Sequence, residues 1–300
     1  MKNFILIGAS GYIAERHFKA IKNTKNNLVA VCDLNDSVGL LDKYFPNCFF
    51  ANNLSDLKNF IDYFIKKNSI EYFVICTPNF LHYKHIKFGL KNNMNVICEK
   101  PTVLNPLQII KLKKLEKETG KNIYTILQLR LHKELIKFRK YFKKNRSNNN
   151  RFKLKYITSR GDWYFKSWKG SIKKSGGIAT NIGIHLFDIL IWIIGNPTNI
   201  EIINNTKSKI IGRIYFRDSI VDWFLSLDKK DLPYKILRKN LNTLRSLKFN
   251  NKEIEFSKYF ENLHDLSYKK IIKGDGFVLD DTYQSINLCS KIRNLLGNEK

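Results

Sequence analysis

Phe4-Ile-Leu-Ile-Gly8-Ala-Ser-Gly11-Tyr-Ile-Ala14 is the stretch that decides the fold. A short apolar run ends on a glycine turn, and helical periodicity starts directly behind it. Strand, glycines and helix in that order are the setting of a dinucleotide-binding turn. The spacing here is the variant G-x-x-G-x-x-A. Gly8 permits the tight turn, Gly11 lets backbone approach a pyrophosphate, and the small Ala14 allows helix to pack on strand. Tyr12 and Ile13 stand at the helix N-terminus, where N–H groups and the positive dipole end favour phosphate. Asp33, closing the second apolar run, can accept hydrogen bonds from both hydroxyls of an adenosine ribose and would repel a 2′-phosphate. The expected cofactor is therefore NAD rather than NADP.

Further along, Leu28–Cys32, Tyr72–Cys76, Asn95–Cys98 and Ile123–Leu127 are continuous apolar runs, as in strands buried on both faces. Helix-period segments lie at 12–22, 54–67, 82–92 and 105–119, with Asn53, Thr77 or Asn79, and Asn105 as caps. Alternating β and α units predict an α/β Rossmann domain over residues 1–125, with a doubly wound parallel sheet. After it come a charged helix at 131–144, a polar tract at 145–151 expected to be an exposed loop, and strands at 152–158, 209–216, 221–227 and 243–249. Helices are expected at 180–194, 258–273 and 280–296. Strands that follow one another without helices predict an α+β domain, 126–300, with a largely antiparallel open sheet.

The 300 residues suit two domains, and 43% hydrophobic with 13% aromatic content excludes wholesale disorder. Lys and Arg number 53 against 26 Asp and Glu, a net +27. The lysines are scattered through a chain rich in Asn and Ile rather than gathered in a block, so no nucleic-acid partner is expected, although the field would attract a polyanionic small molecule. Five cysteines without a C-x-x-C pair suggest neither a disulfide framework nor a zinc site, and fit a reducing cytoplasm. The apolar run near Met1 is shorter than the ~7–15 residues of a signal-peptide core, so no export is expected. Ile182–Ile194 falls short of the ~20 residues that span a bilayer and carries His185 and Asp188, which predicts a buried helix with a polar face and no membrane partner.

Two more segments stand at C-terminal strand ends, where open α/β sheets bind ligands: Thr77-Pro78-Asn79-x-x-His82 and Glu99-Lys100-Pro101. With GASGYIA before them and SGGIATNIGIHLFD after, they resemble the glucose-fructose oxidoreductase/inositol dehydrogenase/rhizopine-catabolism family of NAD(P)-dependent sugar oxidoreductases. The resemblance spans nearly the whole chain. It implies that Thr77, Pro78, Asn79, His82 and Glu99 serve the cofactor, that Lys100 sits beside the nicotinamide, and that Trp168 and Lys169 reach the cofactor from the second domain. The strings VICEKP, ILQLRLH, ITSRGDWYFKSWKG and ATNIGIHLFD further resemble a subgroup of bacterial lipopolysaccharide synthesis. That subgroup oxidises the C3 hydroxyl of UDP-N-acetylglucosaminuronic acid to a ketone, preparing an aminotransferase to build a diacetamido-uronic acid of O-antigen. Homotetramers and NADH reoxidation by 2-oxoglutarate are further implications of the resemblance.

On residue chemistry, Lys100 can position a reacting hydroxyl and stabilise an oxygen that is losing its proton. His185 can accept that proton, since imidazole titrates near neutrality. Which of the two does so stays open at this level. Asn181, His185 and Asp188 recur at i, i+4 and i+7, one face of a regular helix. The wider family often has Asp where this chain has Asn181, so Asn181 is read as orienting substrate. Arg160 is a candidate for a substrate carboxylate or diphosphate. His82, Glu99 and His185 lack metal-ligand spacing, and no metal is expected. Two other readings stay open: a relative acting on another sugar or polyol, and a basic nucleic-acid-binding module without enzymatic activity.

Overall fold

The structure, a computed structural model, describes residues 1–258 and 262–297. They divide into two compact units. One holds Met1–Val103, Leu107–Ile126 and His264–Thr282, and the other holds Leu104–Pro106, Leu127–Leu263 and the chain from Tyr283 onward.

In the first unit, β1 (Asn3–Ile7), β2 (Asn27–Cys32), β3 (Phe49–Ala51), β4 (Tyr72–Ile75), β5 (Asn95–Cys98) and β6 (Ile123–Thr125) form one sheet in the order β3-β2-β1-β4-β5-β6. Every pairing is parallel. This is the Rossmann strand order, whose direction reverses between β1 and β4, so both strands release their following loops into the same crevice at the sheet's C-terminal edge. Continuous apolar runs became strands because both faces are covered: Phe4, Leu6, Val31, Val74 and Ile97 share one core with Phe18 and Ile21 of the helix Ala14–Asn23. β3 was not anticipated. It is a three-residue edge strand whose first residue, Phe49, is exposed, too short to show a period.

Asn53 caps the helix Leu54–Phe64 as expected, its side chain accepting from the N–H groups of Ser55 and Asp56. Neither Thr77 nor Asn79 caps the helix His82–Lys91, which is entered instead through a 3₁₀ turn, Asn79–Leu81. The contiguous second domain, 126–300, also needs correction, because residues 264–282 belong to the first unit. Tyr268 and Ile271 join its core, the Tyr268 ring lying 5.8 Å from that of Phe4. Phe277 accepts the Thr125 N–H at 2.8 Å and so covers the open edge of β6. The helix expected over 258–273 is described as Leu263–Ile272; residues 259–261 of that expectation lie outside the described part.

The second unit is built on β7 (Asn150–Thr158), β8 (Asn199–Asn205), β9 (Lys209–Tyr215), β10 (Ser219–Ser226), β11 (Thr243–Phe249) and β12 (Lys252–Glu255), in the order β12-β11-β7-β10-β9-β8. All neighbours are antiparallel except β7 and β10. Along β7 the residues Phe152, Leu154 and Tyr156 turn inward while Arg151, Lys153 and Lys155 are exposed, the alternation of a sheet with one covered face. Phe142 of the helix Lys133–Asn145 packs edge-on against Phe152 and Phe249, and Phe187 of the helix Ile184–Ile194 against Trp223. The tract at 145–151 is only partly a loop, since Asn150 is buried and opens β7.

The stretch Ile172–Ile194 is long and apolar enough by composition to cross a membrane, but 67% of its most apolar window is buried inside the protein. It is not one regular helix either. A π-helical turn, Ala179–Gly183, separates the short helix Ile172–Ser175 and the glycines behind it from Ile184–Ile194.

Candidate active site

The glycine turn is shaped by what leaves no room for side chains. Gly8 has φ of +92°, and a Cβ there would stand 2.7 Å from the Cys76 carbonyl carbon and the Thr77 nitrogen. The turn after β1 therefore rests directly on the backbone leaving β4. A Cβ on Gly11 would lie 3.2 Å from the Gly8 carbonyl oxygen. Asp33 ties the turn down: its Oδ2 accepts from the Ser10 N–H at 2.9 Å and the Ser10 hydroxyl at 2.8 Å, and its Oδ1 from the Asn35 N–H at 2.9 Å. A carboxylate offers about four acceptor positions, so ribose hydroxyls would share it with Ser10 or displace that hydroxyl. Tyr12 is 85% exposed beside the turn, and Ile13 occupies the cap position of the helix Ala14–Asn23. A glycine turn of positive φ against bare backbone, with a carboxylate at the end of β2, fits an adenine dinucleotide.

Thr77, Pro78 and Asn79 form the loop after β4, and Lys100 and Pro101 the loop after β5. One buried imidazole holds both loops. His82, 1% exposed, has Nε2 2.7 Å from the Thr77 carbonyl oxygen and Nδ1 2.7 Å from the Pro101 carbonyl oxygen. A carbonyl only accepts, so the neutral ring donates to one of them and the protonated ring to both. Burial pushes the His82 pKa down while the two carbonyls pull it up, and burial prevails. The Thr77 hydroxyl is 2.9 Å from Nδ1 of His85, another buried ring on the same helix. His82 thus braces the loops expected to hold the cofactor, with its own ring turned into the protein.

Glu99 is also turned inward. It is 6% exposed, and its Oε1 accepts from Nε2 of His17 and Nε2 of His264, each at 3.0 Å, while Oε2 accepts from the Lys100 N–H at 3.3 Å. Burial pushes the Glu99 pKa up, but the hydrogen bonds from His17 and His264 outweigh it and hold the carboxyl well below the usual range. Nδ1 of His17 meets the Tyr268 hydroxyl at 2.8 Å. Sequence reasoning missed His17, His264 and Tyr268. A histidine at a position of an amphipathic helix that faces the core could have flagged His17, but nothing local couples it to a residue from the far end of the chain.

In the second unit, the Asn181 amide donates to the Tyr164 hydroxyl at 2.8 Å. Asp188, 3% exposed, forms a two-point pair with Arg130, Nε to Oδ2 at 2.9 Å and Nη2 to Oδ1 at 2.7 Å. The single regular helix assumed for Asn181, His185 and Asp188 needs correction, because Asn181 lies in the π turn Ala179–Gly183 while His185 and Asp188 lie in the helix Ile184–Ile194. Such turns recur at functional sites. Asn181 and His185 are half-buried. Lys169 stands over two indoles, 5.0 Å from the Trp163 ring centre and 5.8 Å from that of Trp168. Arg160 is exposed, its N–H bonded to the Leu227 carbonyl at 3.0 Å. All five cysteines are free thiols.

The strand order, the glycine turn and the acid closing β2 define a dinucleotide-binding protein with a second, sheet-based domain. Residues 2–126 match the model of an oxidoreductase family described as an NAD-binding Rossmann fold, and residues 150–210 its C-terminal alpha/beta domain. The chain belongs to this family, and its cofactor is NAD. Among solved structures, the WlbA (WbpB) dehydrogenase of Thermus thermophilus, in complex with NAD and UDP-GlcNAcA, is 39% identical with a TM-score of 0.93, covering 98% of this chain and 95% of that one. The same enzyme with NAD and alpha-ketoglutarate matches with a TM-score of 0.94 and 39% identity, over 98% of this chain and 96% of that one. A glucose-6-phosphate 3-dehydrogenase of Bacillus subtilis is 27% identical over 208 residues, 64% of this chain and 53% of that protein. The matched part spans little more than half the length of such curated relatives.

Proposed function

We propose that the protein is an NAD-dependent dehydrogenase that oxidises the C3 hydroxyl of UDP-N-acetylglucosaminuronic acid to the 3-keto nucleotide sugar. The observation that carries this reading is the 39% identity, over 98% of the chain and so over both units, to a dehydrogenase solved with NAD and UDP-GlcNAcA. Bound NAD supplies a nicotinamide ring that takes up hydride. The glycine turn and Asp33 would hold its adenosine and diphosphate, and Thr77, Pro78, Asn79, Trp168 and Lys169 its remaining length. Lys100 positions the sugar hydroxyl and stabilises the oxygen as it loses its proton. His185 accepts that proton. Asn181, oriented by Tyr164, and Arg160 serve the sugar and its anionic groups.

The net charge of +27 favours a substrate that carries a carboxylate and a diphosphate. The product is suited to a subsequent amino transfer in building an O-antigen sugar, and the place of action is the cytoplasm, as a homotetramer. Because one relative has been solved with NAD and alpha-ketoglutarate, 2-oxoglutarate is the proposed acceptor for NADH reoxidation. A second reading, oxidation at C3 of a simpler hexose, is favoured by the match to the Bacillus subtilis glucose-6-phosphate 3-dehydrogenase.

Incubation with NAD, UDP-N-acetylglucosaminuronic acid and 2-oxoglutarate, followed by mass spectrometry, tests the first reading. The expected product is a nucleotide sugar lighter by two hydrogen atoms. Turnover of glucose 6-phosphate with no change in the UDP-sugar would establish the second reading in its place.

A further inference from the structure

Glu99 stands one peptide before Lys100, and both imidazoles at its carboxylate are buried. His17 comes from the helix behind the glycine turn and His264 from the returning segment 264–282, and both place Nε2 at 3.0 Å from the same oxygen, Oε1. The other oxygen accepts the Lys100 N–H at 3.3 Å. The neighbours also settle where the protons are. An ionised carboxylate only accepts, so both imidazoles carry their proton on Nε2, and Nδ1 of His17 is free to accept the Tyr268 hydroxyl at 2.8 Å. On the far side of Lys100, His82 faces the Pro101 carbonyl oxygen at 2.7 Å. Lys100 is thus carried on a three-residue turn gripped from both ends by buried imidazoles. Such a grip spares the lysine the entropy of searching for its place, and a misplacement of about 1 Å near a reacting group can cost on the order of 100-fold in rate.

We propose that His17 and His264 are positioning residues for Lys100, acting through N–H bonds to Glu99, and that Glu99 serves the reaction in this way rather than by contact with the cofactor. This rests on the reading of Lys100 as the residue that holds the reacting hydroxyl. The ligand atoms of His17, Glu99 and His264 lie within 4.8 Å of one another, so the same trio could also coordinate a divalent metal. The hydrogen bonds that link them, together with the tyrosine on the outer nitrogen of His17, already occupy the donor atoms without an ion.

The test compares His264→Leu, which removes the N–H, with His264→Gln, whose amide nitrogen can restore it. Tyr268→Phe serves as a milder variant should the leucine protein fail to fold. For His264→Leu, kcat is expected to fall about 10- to 100-fold, with the KM for the sugar and the Kd for NAD unchanged within about twofold, and His264→Gln to recover most of the loss. Hydrogen exchange of the Lys100 amide, followed by mass spectrometry of the peptide around residue 100, is expected to speed up in His264→Leu and return toward wild type in His264→Gln. That arm needs no turnover, so a wild-type protein that binds NAD but oxidises no sugar would refute the functional reading and leave the clamp to be judged by exchange. A weaker Kd for NAD at unchanged kcat would overturn the proposal, as would equal kcat losses in the leucine and glutamine variants. Stoichiometric zinc in the wild type that disappears in His264→Leu would replace the clamp by a metal site.

Discussion

Arg130 and Asp188 face each other inside the second unit as a planar two-point pair, 7% and 3% exposed. Asp188 lies on the helix of His185, one turn further on, so the pair anchors that helix to the chain that follows β6. A buried ion pair adds little over a well-packed apolar pair, but loss of one partner strands a charge. Asp188→Leu is expected to cost about 3–5 kcal/mol, read from urea denaturation. The double variant Arg130→Met/Asp188→Leu should regain most of that, and a double variant as weak as the single would show that the charges themselves are needed.

The proposed place of Asp33 at the adenosine ribose makes its charge the selector of the cofactor. In Asp33→Ser the repulsion of a 2′-phosphate is gone, and the ratio of kcat/KM for NADP over NAD should rise at least about tenfold, roughly 1.4 kcal/mol. An unchanged ratio in steady-state kinetics would place the adenosine ribose elsewhere.

Gly8 is held at φ +92° against the Cys76 and Thr77 backbone. Gly8→Ala meets both a strained conformation, about 1–3 kcal/mol, and a collision that only main-chain movement relieves. A lower melting temperature together with loss of the NAD-induced thermal shift is the expected result. A variant that melts lower yet keeps the full NAD shift would separate the turn from cofactor binding.

Stability should fall on acidification, and the sign follows from burial. His85 is 5% exposed, and burial first, then the charges of His82 and Lys84, lower its pKa from 6.5 to about 4. The unfolded chain takes up this proton below pH 6.5 and the folded one does not. The contribution is therefore fully present above pH 6.5 and is lost as pH falls toward 4, about 3 kcal/mol in all at ~1.4 kcal/mol per unit. Glu99 acts lower on the scale, with stability present above its ordinary value of 4.5 and lost as pH drops through its depressed folded value. The urea midpoint followed from pH 7 to 4 should decline, and less steeply in His85→Gln. An equal slope in that variant would assign the acid sensitivity to other groups.

How much of this was legible in the chain varies with the range of the interaction. The Rossmann sheet was readable because each of its longer strands is a local run of apolar residues and its key turn needs glycines at fixed places. The Asn53 cap was equally local. β3, β8 and β12 escaped because they lie toward the sheet edges, where half the side chains meet water and no burial pattern is imposed. The π turn at Ala179–Gly183 escaped because a residue-spacing argument assumes the winding it is meant to test.

By itself the sequence determined the two-part architecture, the nucleotide turn with Asp33, and Lys100 and His185 as the residues to examine, since these depend on neighbours in the chain and on motif order. Only the tertiary structure decided that Glu99 faces His17 and His264 rather than outward, that His82 braces two loops through their carbonyls, that Asp188 pairs with Arg130, and that segment 264–282 completes the first unit. Each of these joins residues far apart in the chain. A buried polar group must find its partner wherever folding brings one, and spacing along the chain carries no record of that choice.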